Sequence, residues 1–191
     1  MQIAIEEAKT TVFQQLPLNQ KKQLGQFFTP ASIALFMASL FNIKSKETIR
    51  LLDAGAGIGS LSAAFLDRCI SSNLNFNKIE LDAFEIDSQS HSYLSNTLEQ
   101  FKKYIDVEIA IIGSDFIDTA VDWIGGSLFS EFKFHKYTYV ILNPPYKKIR
   151  SDSRHRLKLR RIGIETVNLY SAFVALALSL LEKNGELVAI I

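Results

Sequence analysis

At 191 residues, with 48% hydrophobic and 21% charged side chains, the chain is long enough for one well-buried domain and too apolar for a disordered one. The formal charge of +1 hides a polarised distribution: eight Lys/Arg against one acid lie between Lys147 and Arg161, while thirteen Lys/Arg face nineteen Asp/Glu elsewhere. A lone Cys69 in an apolar helical pattern forms no intrachain disulfide, residues 1–7 carry no signal-peptide pattern, and the apolar run Tyr170 to Leu181 is too short to span a bilayer, so a reducing, cytoplasmic setting away from membranes is expected.

Residues 3–16 show helical periodicity that Pro17 closes. Gly25-Gln26-Phe27-Phe28-Thr29-Pro30 then leads into a second helix over 31–42, with Thr29 as N-cap and Pro30 at the first helical position. Ile49 to Ala54 reads as a buried strand, and Gly55-Ala56-Gly57-Ile58-Gly59 separates it from a helical run over 61–70. A glycine turn between strand and helix lets backbone approach a ligand and presents helix N-terminal amides to it. The Gly-x-Gly-x-Gly spacing is tighter than the dinucleotide fingerprint, which argues against NAD. Asp53, just before the turn, repels a phosphate and suits a cationic ligand.

The second strand, Ile79 to Phe84, ends in Glu85-Ile86-Asp87. An acid there is placed to accept from ribose hydroxyls, which makes Glu85 the candidate, while Asp87 starts a helix over 88–104. The third strand, Val107 to Ile112, closes in Gly113-Ser114-Asp115-Phe116. Asp115 is either an acceptor for an exocyclic amine or a helix cap, and Phe116 is placed to cover a purine face. Residues 117–136 read as helix then loop.

The fourth strand, Tyr139 to Leu142, runs into Asn143-Pro144-Pro145-Tyr146. Two prolines stiffen this turn and remove two amide donors, which leaves the Asn143 side-chain oxygen and the Pro144 carbonyl as acceptors beside the flat Tyr146 ring. A conjugated amine is a weak nucleophile because its lone pair is delocalised. Two fixed acceptors on its N–H bonds favour the pyramidal nitrogen that develops during attack, without a general base. The other reading of the tetrapeptide is a strand-ending turn.

The basic stretch follows directly, and a cationic loop beside an amine-reactive corner suits a polyanion, or else is a solvated loop. Asn168 opens a helix that is apolar on nearly every side from Leu169 to Leu181 and is therefore expected to be buried. Lys183-Asn184-Gly185 is expected to end it, with a fifth strand from Glu186 to Ile191. The alternation predicts an α/β fold with a doubly wound, mostly parallel sheet, and residues 1–48 form N-terminal helices attached to a core over 49–191. Because the chain stops inside an apolar strand, it is expected to be the N-terminal piece of a longer protein.

Taken together, Gly25-Gln26-Phe27-Phe28-Thr29-Pro30, Asp53-Ala54-Gly55-Ala56-Gly57, Glu85, Asp115 and Asn143-Pro144-Pro145-Tyr146 resemble the amino-group DNA methyltransferases. Their order is similar to that of the gamma class of adenine-N6 enzymes, the TaqI-like and PstI/BsuBI-like modification methylases. The resemblance implies a class I, Rossmann-like fold truncated after strand five, with S-adenosyl-L-methionine as methyl donor. It implies that Phe28, Thr29 and Pro30 border the methionine moiety together with Asp53, Gly55 and Gly57. Glu85 would then hold the ribose, Asp115 and Phe116 the adenine, and Asn143 to Tyr146 the flipped target adenine of double-stranded DNA. Lys147, Lys148, Arg150, Arg154 and Arg156 would hold phosphates, and a restriction endonuclease is an implied partner. Little methylation is expected of the 191-residue piece alone. Two readings compete: a glutamine-N5 or RNA methyltransferase on the same fold, and a non-catalytic DNA-docking or subunit module.

Overall fold

The computed structural model describes residues 29–44, 46–72, 76–126 and 136–191. The expected helix over 3–16 and the Gly25 to Phe28 part of the aromatic element, Phe28 included, lie outside them. In chain order the elements are α1 (Ala31–Ser39), β1 (Lys46–Ala54), α2 (Ser60–Ser71), β2 (Phe76–Phe84), α3 (Ser88–Glu99), β3 (Val107–Ile112), α4 (Phe116–Gly125), β4 (Tyr137–Leu142), α5 (Arg154–Arg161), α6 (Leu169–Leu180) and β5 (Leu181–Ala189).

The five strands form one sheet in the order β3-β2-β1-β4-β5, and every pairing is parallel. Parallel neighbours need crossovers, so helices cover both faces and the central strands are apolar on both sides. Side-chain alternation divides the core accordingly. Leu51, Leu81 and Ile141 join Met37, Phe65 and Leu94 on the face of α1, α2 and α3, whereas Leu52, Phe84 and Val140 join Phe116, Leu159 and Leu176 on the face of α4, α5 and α6. Cys69 is a buried member of the first cluster, and burial pushes its thiol up to about 12, as suits an inert core residue.

Strands β1, β2 and β4 begin two or three residues before the apolar runs do. Their polar leading ends still find ladder partners, as in Lys46↔Phe76 and Thr48↔Lys78. Three expectations are corrected. The basic stretch is half helix: Ser153 caps α5 by accepting from Arg156 N at 3.3 Å, and Leu159 is fully buried against the second cluster. Helix α6 is not buried all round, for Leu178 is 55% exposed while Ala172, Phe173, Leu176 and Leu180 face the sheet.

The third correction is that Asn184-Gly185 does not end α6, which stops at Leu180. Instead the pair lies inside β5, where the ladder to β4 slips between Tyr137↔Leu181 and Tyr139↔Glu186 and Asn184 takes φ 65°. A Cβ on Gly185 would stand 2.8 Å from Leu181 Cδ2, 3.0 Å from Thr138 O and 3.1 Å from Tyr137 O. Backbone oxygens of a central strand cannot retreat. Gly185→Ala therefore loses about 1–3 kcal/mol of stability in urea denaturation; a variant as stable as wild type would contradict the tight bulge.

Candidate functional site

Strand order reverses at β1: the chain winds outward through β2 and β3, then returns to place β4 on the other side. Crossovers therefore leave β1 and β4 in opposite directions, which opens a crevice at their carboxyl ends. Here lies a cleft of about 650 Å³, lined among others by Gly57, Glu85, Asp115, Phe116, Asn143 and Tyr146. Gly55, Pro144, Pro145 and Lys147 also reach it.

The glycine turn builds one wall. Gly55, Gly57 and Gly59 have φ of 88°, 58° and 87°, a region that side chains disfavour, and Gly59 caps α2. Gly55 N and Ala56 N donate to Phe84 O at 3.0 and 2.8 Å, tying the turn to the end of β2. Glu85 completes the join: its Oε2 accepts from Gly57 N at 2.8 Å and its Oε1 from Asp87 N at 2.7 Å. The carboxylate is thereby held rigid with lone pairs to spare at the cleft.

Asp53 is not a wall of the cleft. It is completely buried beneath the turn, where Oδ2 accepts from Ser62 N at 3.2 Å and Ser62 Oγ at 2.6 Å, while buried Oδ1 has no partner. Burial is the main force on its acidity and pushes its pKa up to about 7. The two Ser62 bonds pull down, and Glu85 adds a smaller upward push.

Asp115 proves to be a helix cap as well as a cleft residue, for Oδ1 accepts from Asp118 N at 3.1 Å at the start of α4. Its Oδ2 lies 3.0 Å from His155 Nε2 on α5. Phe116 packs edge-on against Phe84 at 5.1 Å and tilted against Phe173 at 5.0 Å, and all three rings border the cleft. Ile86 is 67% exposed and lines the same space. The sequence reading missed Ile86, whose signal is an apolar residue stranded between two acids, and Phe173, whose signal was lost in an apolar helix.

At the Asn143 corner the structure shows one side-chain bond and one unpartnered oxygen. Asn143 Nδ2 donates to Thr29 Oγ1 at 3.2 Å, and Oδ1 is buried without a partner. Thr29 is not the expected N-cap: Pro30 caps α1 without a side-chain bond, and the Thr29 hydroxyl is turned to Asn143 instead. Thr29 and Pro30 do not line the cleft. Tyr146 is 60% exposed and its ring lies 6.1 Å from Tyr170 at 34°. Leu169 N→Lys147 O at 2.8 Å and Ile149 N→Val167 O at 2.7 Å lash the segment after Tyr146 to the start of α6.

The basic stretch is largely neutralised within the protein. Arg154 and Lys158 pair with Asp118, Arg150 with Asp152, and Arg156 and Arg160 with Glu165. Lys147 and Lys148 are exposed beside Tyr146 and form no ion pair with the described residues.

The profile of the Eco57I restriction-modification methylases matches residues 2–191. The chain belongs to this family. It is 51% identical over 179 residues to the type II methyltransferase M.BsuBI of Bacillus subtilis, covering 91% of this chain and 34% of that protein. It is 38% identical over 196 residues to M.PstI of Providencia stuartii, covering 100% and 37%. Among solved structures, a methyltransferase subunit of a type I restriction-modification system from Streptococcus thermophilus superposes with a TM-score of 0.62 at 17% identity, over 85% of this chain and 34% of that one. A structure described as a class I S-adenosylmethionine-dependent methyltransferase, from Listeria monocytogenes, superposes with a TM-score of 0.62 at 13% identity over 92% of this chain and 48% of that one, so the fold is that of class I methyltransferases. The chain spans about a third of the length of the curated relatives. No helix among the described residues is long and apolar enough to cross a membrane.

A raised pKa on Asp53 means that the fold favours its protonated form. That contribution is whole below the ordinary carboxylate value of 3.8 and is lost as pH rises through about 7. Asp53→Asn keeps an acceptor for Ser62 and never ionises, so it gains on the order of 2 kcal/mol relative to wild type between about pH 5 and pH 8. Urea denaturation at both pH values measures this, and parallel pH slopes for the two proteins would contradict it.

Proposed function

We propose that this cleft binds S-adenosyl-L-methionine and that the protein transfers its methyl group to the N6 amine of adenine in double-stranded DNA, as the modification half of a restriction-modification system in the cytoplasm. The observation that carries the reading is the orphaned Asn143 Oδ1, a buried acceptor on a residue that lines the same cleft as Glu85, Asp115 and Phe116. A buried acceptor without a donor costs stability unless a ligand supplies one.

The residues fit this cofactor. Glu85 offers acceptors to ribose hydroxyls, Ile86 and Phe116 give apolar contact for a purine, and the cleft volume of about 650 Å³ suits a nucleoside-sized ligand. A dinucleotide fits poorly, because the Gly57 amide that would meet a phosphate already donates to Glu85 Oε2. When bound, the cofactor supplies an electrophilic methyl group on a sulfonium. Asn143 Oδ1 and the Pro144 carbonyl would accept from the target amine and favour its pyramidal form, with Tyr146 stacking on the base. Lys147 and Lys148, exposed and next to Tyr146 in the chain, would hold phosphates flanking a flipped nucleotide, a pairing that favours nucleic acid over a protein glutamine. Arg150, Arg154 and Arg156 would join them by exchanging carboxylate partners for phosphate. Phe28 would border the methionine end, whereas Thr29 and Pro30, which do not line the cleft, would act on it from behind, Thr29 by accepting from the Asn143 amide. A restriction endonuclease is the partner such a methylase protects against, and the 191-residue piece alone would methylate little.

Tritium transfer from labelled S-adenosylmethionine to duplex DNA by the full-length protein tests this reading. Asn143→Ala loses at least a hundredfold or so in kcat while cofactor affinity stays within about threefold. Label appearing on protein, or a variant as fast as wild type, would overturn it.

A further inference from the structure

We propose that His155 is a positioning residue for the cofactor's purine: it holds the Asp115 carboxylate with its acceptor face turned to the cleft, so that the site accepts an adenine amine and rejects an oxo group. The proposal rests on the assignment of the cleft to S-adenosylmethionine and names the part of this chain that reads the adenine.

Both oxygens of Asp115 are held by the protein. Oδ1 takes the Asp118 amide at 3.1 Å and Oδ2 meets His155 Nε2 at 3.0 Å. An ionised carboxylate only accepts, so His155 Nε2 must carry the proton that joins them, in the neutral ring or the charged one. Two bonds from different elements fix the plane of the carboxylate, and each oxygen keeps a lone pair for a ligand. An N-cap bond alone would leave the carboxylate free to turn about it.

The rest of α5 does not need His155 to stay in place. Arg154 pairs with Asp118, Lys158 lies 3.0 Å from Asp118 Oδ1 and 3.8 Å from Asp122 Oδ2, and the fully buried Leu159 anchors the helix in the second core cluster. Of these side chains His155 is the one that reaches a residue lining the cleft. It is also half-buried, with 32% of its side chain exposed. Adenine presents N–H donors at its 6-position, and hypoxanthine presents a carbonyl oxygen there, which a fixed carboxylate repels.

Calorimetric titration of the full-length protein with S-adenosylhomocysteine and with S-inosylhomocysteine, free of DNA, tests the proposal. Wild type prefers the adenosyl ligand by at least about tenfold, the range of a hydrogen bond to a charged group. His155→Phe keeps a ring and removes the donor, and the preference falls to within about threefold; His155→Gln keeps an N–H and retains most of it. General loosening of the helix would weaken both ligands alike and leave their ratio unchanged. An unchanged ratio in His155→Phe, or an equal loss in His155→Gln, overturns the role of His155 while leaving the cofactor assignment standing. A wild type that binds neither ligand overturns both.

Discussion

Everything at the site depends on the pairing of β1 with both β2 and β4 in one parallel register. Ala54 sits opposite Phe84, and Asp53 opposite Ile141, so three strands finish at nearly the same level. Parallel pairing puts all carboxyl ends on one edge, and the winding reversal at β1 parts the loops there. Glu85 then bridges the gap by accepting from Gly57, and Asn143 spans another by donating to Thr29. A one-residue slip of β1 would turn Leu51 and Leu52 to the wrong faces and separate these partners.

The parts of this arrangement that were legible in the sequence are those set by local chemistry. Val107 to Ile112 reads as a strand from its β-branched run, Asp87 as a cap, and Asn143-Pro144-Pro145-Tyr146 as a stiff acceptor-rich corner, because each depends on a few neighbouring residues. Glu85, Asp115 and Phe116 were legible as cleft residues because they follow strand ends. What was not legible depends on contacts far along the chain. Thr29 looks like a cap, but its hydroxyl is engaged by Asn143, 114 residues away. Asp53 looks like a ligand-facing acid, yet Ser62 draws its side chain under the turn. Helix α5 was hidden by its charge, since its stability comes from Asp118 and Glu165 and from one buried leucine.

The basic stretch shows why a count of charge is a poor map of a binding surface. Most of its cations have carboxylate partners, and exposed pairs of this kind are individually weak and screened by salt. They hold a helix in position while remaining available for exchange with phosphate. The exposed Lys147 and Lys148 combine freedom with proximity to Tyr146. In this arrangement α5 both meets Asp115 through His155 and carries exposed cations, so the proposed cofactor wall and the proposed polyanion face would share one element.

The central claim is that one cleft holds a sulfonium cofactor and an extrahelical base side by side. A crystal structure of the full-length protein with S-adenosylhomocysteine and a short cognate duplex examines it most directly. The account predicts ribose hydroxyls on Glu85, the purine between Ile86 and Phe116, and a flipped adenine whose amine meets Asn143 Oδ1. A cofactor bound elsewhere, or a target base that never enters the space beside Asn143, would contradict it.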